Sequence, residues 1–271
     1  MKQIFKVVFF ISLMLNFSFA DTIKDDKATL QDQNLTKQVD ELCKAIMVDD
    51  YDKIKFMLDK NPELVNLNDG YFKPIDYTLV RMKKNGITKN GVKIFEILTS
   101  KNIDLNYNMG EGLTPLQFMT QFFDETYLKN FINKNINKIN MNLVYKKEIT
   151  LLSISYRKNR KNLFKFYLEN GVNTDNMIAI IGIDIVKPFY EQHGYYMEKA
   201  SSEDVKKFNS AKYQNRHNNL LWYLELILDN RKVFDKSDKI IITELIEFSR
   251  LFDDKKLKNL FKQGEINGQF N

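Results

Sequence analysis

The sequence predicts an all-α fold, a helical solenoid of four to five helix-turn-helix repeats closed by a helical C-terminal cap. Three observations carry this reading. Apolar residues recur at helical spacing in short paired segments from Val39 onward. Asn66, Asn106, Asn140 and Asn173 each follow an apolar segment and a short turn, at intervals of 40, 34 and 33 residues. A second series, Lys73-Pro74-Ile75, Thr114-Pro115-Leu116 and Thr150-Leu151-Leu152, marks helix starts and keeps step with the first.

The opening residues have to be set aside before the fold is argued. Lys2 and Lys6 form a basic head, Val7 to Phe19 is an apolar run, and Ser18-Phe19-Ala20 supplies small residues where a signal peptidase reads. Residues 1–20 are therefore expected to be a secretory signal peptide cut after Ala20. The run falls short of the ~20 apolar residues that cross a bilayer, so no stable membrane insertion is expected once it is removed. A polar leader, residues 21–37, follows.

The repeats come next. Val39, Leu42, Cys43 and Ile46, then Tyr51, Ile54, Met57 and Leu58, describe two amphipathic helices joined at Asp49-Asp50. Such a hairpin has too little apolar area to stand alone, and survives by stacking on another. The spacing divides residues 38–186 into units of about 38–67, 68–106, 107–141 and 142–174, with a degenerate fifth at 175–186. Arg81 to Gly91 reads as an insertion in the second unit that lengthens the first interval to 40 residues. In the third unit Thr114 is placed to cap the next helix, and Pro115 at the first helical position loses no hydrogen bond. In the fourth, Gly171 can take the left-handed conformation that ends a helix.

Gly112-Leu113-Thr114-Pro115-Leu116-Gln117-Phe118 resembles the opening of an ankyrin repeat, and residues 163–173, Leu163 to Asn173, resemble its second helix and exit turn. The resemblance spans about residues 39–175. Family members usually carry a histidine after Thr-Pro-Leu, where this chain has Asp76, Gln117 and Ser153. Of these Gln117 is the best suited to bridge neighbouring turns by hydrogen bonding.

Beyond the array, Lys187-Pro188 reads as a break in an apolar segment, and residues 187–217 as an irregular aromatic and polar stretch. Strong periodicity returns in Leu220–Leu228, Ile240–Phe252 and Leu257–Phe261. Residues 218–262 are thus expected to form the cap, and residues 263–271 a disordered tail.

Composition narrows the function. The formal charge is +6 for the whole chain, and acidic residues alternate with basic ones, so no polyanion-binding stripe and no nucleic-acid partner are expected. A single cysteine, Cys43, excludes an internal disulfide and falls among core positions, where a thiol is inert. Only two histidines are present, His193 and His217, in no zinc-binding pattern, and no serine lies in a Gly-x-Ser-x-Gly elbow. No catalytic residue, metal or cofactor is expected. Asp253-Asp254 reads as a solvated helix end. The pairs Arg157-Lys158 and Arg160-Lys161, with Lys146-Lys147, are the candidates for an electrostatic contact.

Ankyrin arrays are binding scaffolds, so the resemblance implies an extracytoplasmic protein-binding module, monomeric, whose turn tips touch another protein. The expected contact residues are Tyr71 and Phe72, Tyr107 and Met109, and Tyr145 and Lys146. An abundance of Lys, Asn, Ile and Phe suggests a bacterial source. The expected location is then the periplasm or the medium, and the role that of an inhibitor, immunity protein or accessory factor of a periplasmic enzyme. Alternatives are a released effector that binds a host protein, and an enzyme with a site in residues 189–217.

Overall fold

A computed structural model describes residues 30–193, 199–231 and 234–266. The expected signal peptide, most of the leader and the last five residues lie outside these. Among the described residues all regular structure is helical, in thirteen α-helices and one 3-10 turn. The chain divides into two compact units, residues 1–115 and 116–271.

The first unit holds α1 (Leu30–Met47), α2 (Tyr51–Lys60), a 3-10 turn (Pro62–Asn66), α3 (Pro74–Asn85) and α4 (Lys89–Ser100). Its helices are two hairpins laid side by side, α1 against α3 and α2 against α4. Local chemistry starts α2, α3 and α4. The Asp50 carboxylate accepts from Lys53 N, the Thr88 hydroxyl accepts from Gly91 N, and Pro74 occupies the first turn of α3. The shared core is apolar: Leu42, Ile46, Ile54, Leu58, Leu79 and Phe95 are all at most 1% exposed. Helix α1 begins at Leu30, so the last eight residues of the expected leader are helical. The longer first interval is absorbed by α3 itself, which has twelve residues.

The second unit opens with α5 (Pro115–Thr120) and α6 (Glu125–Asn135), followed by α7 (Leu151–Arg157) and α8 (Lys161–Glu169). Then come α9 (Met177–His193), α10 (Ser202–Phe208), α11 (Ala211–Asn230), α12 (Lys236–Leu251) and α13 (Lys255–Ile266). Helix α8 packs on α6 and α7, while α9 is held by α11 and α12. At Gly182 that last contact is so close that a Cβ would meet Ile241 Cγ2 at 2.5 Å.

One turn recurs. Asp49 between α1 and α2, Asn159 between α7 and α8, and Asp253 between α12 and α13 all take φ near +50 to +60° (60°, 52° and 48°). In each case the next N–H returns to the carbonyl five residues back: Asp50 to Ala45 (3.0 Å), Arg160 to Ser155 (2.8 Å) and Asp254 to Ser249 (2.9 Å). Asp and Asn tolerate this left-handed position better than other side chains. The same device therefore closes hairpins in the expected array and in the expected cap.

Residues 175–217 depart most from expectation. Pro188 does not break α9, and residues 187–217 are mainly helical rather than irregular. A proline inside a helix deprives the carbonyl four residues earlier of its donor. That carbonyl, Asp184 O, accepts instead from Arg216 Nη2 at 3.2 Å. The neighbouring Ile185 O takes the Tyr213 hydroxyl at 3.0 Å, and Pro188 O takes Lys207 Nζ at 2.5 Å. The short α10 starts in a reciprocal cap between Ser201 and Asp204, and Ser210 caps α11. The 175–186 segment is thus the first half of a long helix in the C-terminal bundle, and the bundle begins at α9 rather than at residue 218. Helix α13 also runs past residue 262, to Ile266, into the stretch expected to be a tail.

Candidate partner-binding loops

The loop before α3 is built around Asp69. One carboxylate oxygen accepts the N–H groups of Tyr71 and Phe72, each at 3.0 Å, and the other accepts the Tyr77 hydroxyl at 2.6 Å. Gly70, at φ +100°, makes the reversal that a side chain would strain. The tip is fixed by its own hydrogen bonds, and Tyr71 stands 73% exposed on it. Phe72 turns back instead and packs edge-to-face on Tyr77 at 5.7 Å.

Tyr107 is a fastening of the loops. Its hydroxyl donates to Asp76 Oδ1, and Lys73 Nζ lies 3.8 Å from its ring centre. Burial and the Asp76 charge hold the phenol far above its usual range. Asp76 also accepts from Lys73 N at 2.9 Å, so it caps α3 and reaches the following loop at once. Met109 is half-buried, its N–H on Leu113 O at 2.9 Å. In this unit Phe72 and Tyr107 support the tip, and Tyr71 is its exposed side chain.

In the second unit Gln117 plays the bridging part expected of it. Its Nε2 donates to Leu143 O (3.2 Å) and Ile149 O (2.9 Å), drawing together the two ends of a loop. Every residue between, 144–148, is exposed, with Tyr145 at 45% and Lys146 beside it. Ser153 stays local, donating to Glu148 O and Thr150 O. Two asparagines add a pattern that the spacing did not single out as a pair. Asn66 donates to Asn102 O and accepts from Asp104 N, while Asn142 donates to Gly171 O and accepts from Asn173 N. Each joins one loop to the corresponding loop further on, with the same two-residue step.

The charged candidates separate. Arg157 and Lys158 are exposed, but Arg160 is turned inward, donating to Thr120 O (2.6 Å) and Phe123 O and lying 3.4 Å from Glu125. Lys161 lies over the Trp222 ring at 4.7 Å. Asp253 is solvated, yet Asp254 is 5% exposed, its carboxylate 2.6 Å from His217 Nε2. The other Asp254 oxygen accepts from Lys256 N and Leu257 N and so caps α13. His217 Nδ1 is buried without a hydrogen-bond partner among the described residues. Both groups are closed off from the surface, which makes the pair a staple between α11 and α13. Cys43 is buried, and burial first, then Asp69, Asp40 and Asp76, raises its thiol well above the usual range. Among the described residues no three His, Cys, Asp or Glu side chains gather as a metal site, and no helix is long and apolar enough to cross a membrane. The His193 side chain and residues 194–198 lie outside the described parts.

Asp76 gives the first unit a pH dependence. Burial pushes its carboxyl from 3.8 up to about 6, against the lowering pull of the Tyr107 hydroxyl and the Lys73 N–H. The native state therefore holds this proton more tightly than the unfolded chain. Stability from this group is full below about pH 4 and is lost as the pH rises to about 6, a change of about 2–3 kcal/mol. Denaturant unfolding of Asp76→Asn at pH 4 and pH 7 should show a difference smaller than wild type by that amount. An unchanged difference would place the titration elsewhere.

Among the described residues the structure is all-helical, with hydrogen-bonded loops that present few but exposed aromatic tips. No protein-family model matches the chain, and neither does any curated protein or solved structure.

Proposed function

We propose that this protein is an exported, non-catalytic binding module of ankyrin type, whose loop tips engage another protein. One observation supports the reading above others. Side chain to backbone hydrogen bonds fix the loops through Asp69, Asp76 and Gln117, while Tyr71 and Tyr145 are left open to solvent. An exposed tyrosine on a preorganised loop supplies contact area at low entropic cost to a partner. The stacked hairpins of the first unit, the repeated left-handed turn and the paired asparagine bridges support a repeat array. In this reading the partner is a periplasmic enzyme that the module inhibits, protects against or assists.

Affinity purification of the protein from its own extracytoplasmic fraction tests the proposal. The Tyr71→Ser, Tyr145→Ser double variant should retain less than a tenth of the captured partner while its unfolding midpoint barely moves, because exposed substitutions change stability by about 0.5 kcal/mol or less. Equal capture by the double variant and wild type would refute the tip reading. Fractionation decides between a retained module and a released effector.

A further inference from the structure

We propose that the groove between α11 and α13 in the second unit is a binding site for a neutral oligosaccharide of flat, gluco-configured rings, seated against Trp222. None of the lining residues belongs to the loop tips, so the site stands apart from the protein-binding surface proposed above.

Two helical stripes make the groove. Asn218, Leu221, Trp222 and Glu225 share one face of α11, and Lys256, Asn259 and Leu260 share one face of α13, because residues three and four apart on a helix project together. The helices are pinned where the groove begins: His217 Nε2 lies 2.6 Å from the Asp254 carboxylate, and Lys256 Nζ donates to Asn218 Oδ1 at 2.7 Å. The groove has a volume of about 460 Å³, within the range of roughly 300–1,000 Å³ that ligand sites occupy.

The lining mixes apolar and polar groups. Trp222 is the only tryptophan of the chain, and it lines the groove together with Leu221 and Leu260. Its ring is held before a ligand arrives, with Lys161 Nζ 4.7 Å from the ring centre and Tyr223 edge-on at 4.9 Å. Glu225 and Asn259 are exposed, and among the described residues neither they nor Trp222 Nε1 makes a hydrogen bond. The lining residues thus bring an unengaged indole N–H, an unengaged amide that both donates and accepts, and an unengaged carboxylate.

That combination selects the ligand. One carboxylate and one ammonium line the groove, and Lys256 already serves Asn218, so no net charge draws an anion or a cation. A wholly apolar ligand would strip water from Glu225 and Asn259 and return no hydrogen bond. A pyranose ring meets both demands. Its hydroxyls donate to a carboxylate and accept from amide and indole N–H groups, while the axial C–H groups of an all-equatorial ring form an apolar face that rests on an aromatic surface. β-Linked gluco-configured rings present that face along their whole length. An open-chain polyol has the hydroxyls without the face.

Because the chain has a single tryptophan, its emission reports this groove alone. The purified protein is titrated with cellotetraose, with its N-acetylated counterpart chitotetraose, with sorbitol, and with an amphipathic helical peptide of Leu and Lys. A saturable change is expected with at least one of the tetrasaccharides and none with sorbitol. The variant E225A/N259A keeps Trp222 and alters exposed positions only; it should bind the tetrasaccharide at least fivefold more weakly, whereas E203A/K212A, exposed outside the groove, should bind like wild type. Helical circular dichroism shows that each variant is folded. No saturable change with either tetrasaccharide, an equal change with sorbitol, or undiminished binding by E225A/N259A would overturn the proposal. A response to the peptide with none to the saccharides would also overturn it, in favour of a polypeptide ligand.

Discussion

Replacing Phe189 with alanine is expected to lower the stability of the second unit by about 3–5 kcal/mol, the range for truncating a large buried aromatic. Phe189 is fully buried, and its ring contacts Tyr213 at 5.0 Å, Phe248 at 5.6 Å, Phe252 at 4.7 Å and Phe208 at 6.3 Å. Lys207 Nζ lies 5.1 Å from the same ring. These partners come from α10, α11, α12 and the turn after α12, so the cavity left by truncation would be lined by four elements and could not collapse by moving one. Thermal unfolding should report a midpoint lower by roughly 6–15 °C for a unit of this size. The experiment also tests the course of the chain through Pro188. Were residues 187–217 an irregular surface stretch, the same substitution would cost well under 1 kcal/mol, and a change that small would contradict the bundle described above.

Arg160→Ala should cost about 2–3 kcal/mol, although the residue stands in a run of surface cations. The guanidinium fork satisfies Thr120 O and Phe123 O at the end of α5 and faces Glu125 at the start of α6, and its side chain is only 14% exposed. Short helices leave their last carbonyls without internal donors, and α5 has only six residues. Removing the fork strands acceptors that water reaches poorly, at about 1–3 kcal/mol for each buried group. Arg160→Lys should recover part of the loss, because an ammonium cannot reproduce two divergent planar N–H donors. Arg157→Ala, one helical end away and exposed, should stay within about 0.5 kcal/mol of wild type. Urea unfolding of the three variants checks this, and equal losses for Arg157→Ala and Arg160→Ala would show that Arg160 is an ordinary surface cation.

Both substitutions mark where sequence and structure part. The helices of the hairpins were legible because their signals are local: apolar spacing in Val39 to Ile46 and Leu163 to Leu168, and Pro74, Pro115 and Thr150 at helix starts. Gln117 was legible as a bridge for a similar reason, since its place after Thr-Pro-Leu sets its reach. Of the residues expected at the tips, Tyr71, Tyr145 and Lys146 are exposed, while Phe72 and Tyr107 turn inward. An aromatic at a turn carries no local mark that separates an open tip from a fastening. What decided the matter was a partner far along the chain, Asp76 for Tyr107, or a ring on the next helix, Tyr77 for Phe72.

Taken alone, the sequence determined that the chain is helical, where most hairpins begin, and that its loops would carry aromatic residues, because capping, periodicity and turn preference act within a few residues of one another. The tertiary structure alone decided which polar groups are buried and whether Pro188 ends a helix. Arg160, Asp254 and Asp76 look like surface charges until distant carbonyls, a histidine and a phenol enclose them. The carbonyl that Pro188 leaves open finds its donor only when α11 brings Arg216 alongside α9. Desolvation and hydrogen-bond satisfaction are properties of assembled surroundings, and no window of neighbouring residues contains them.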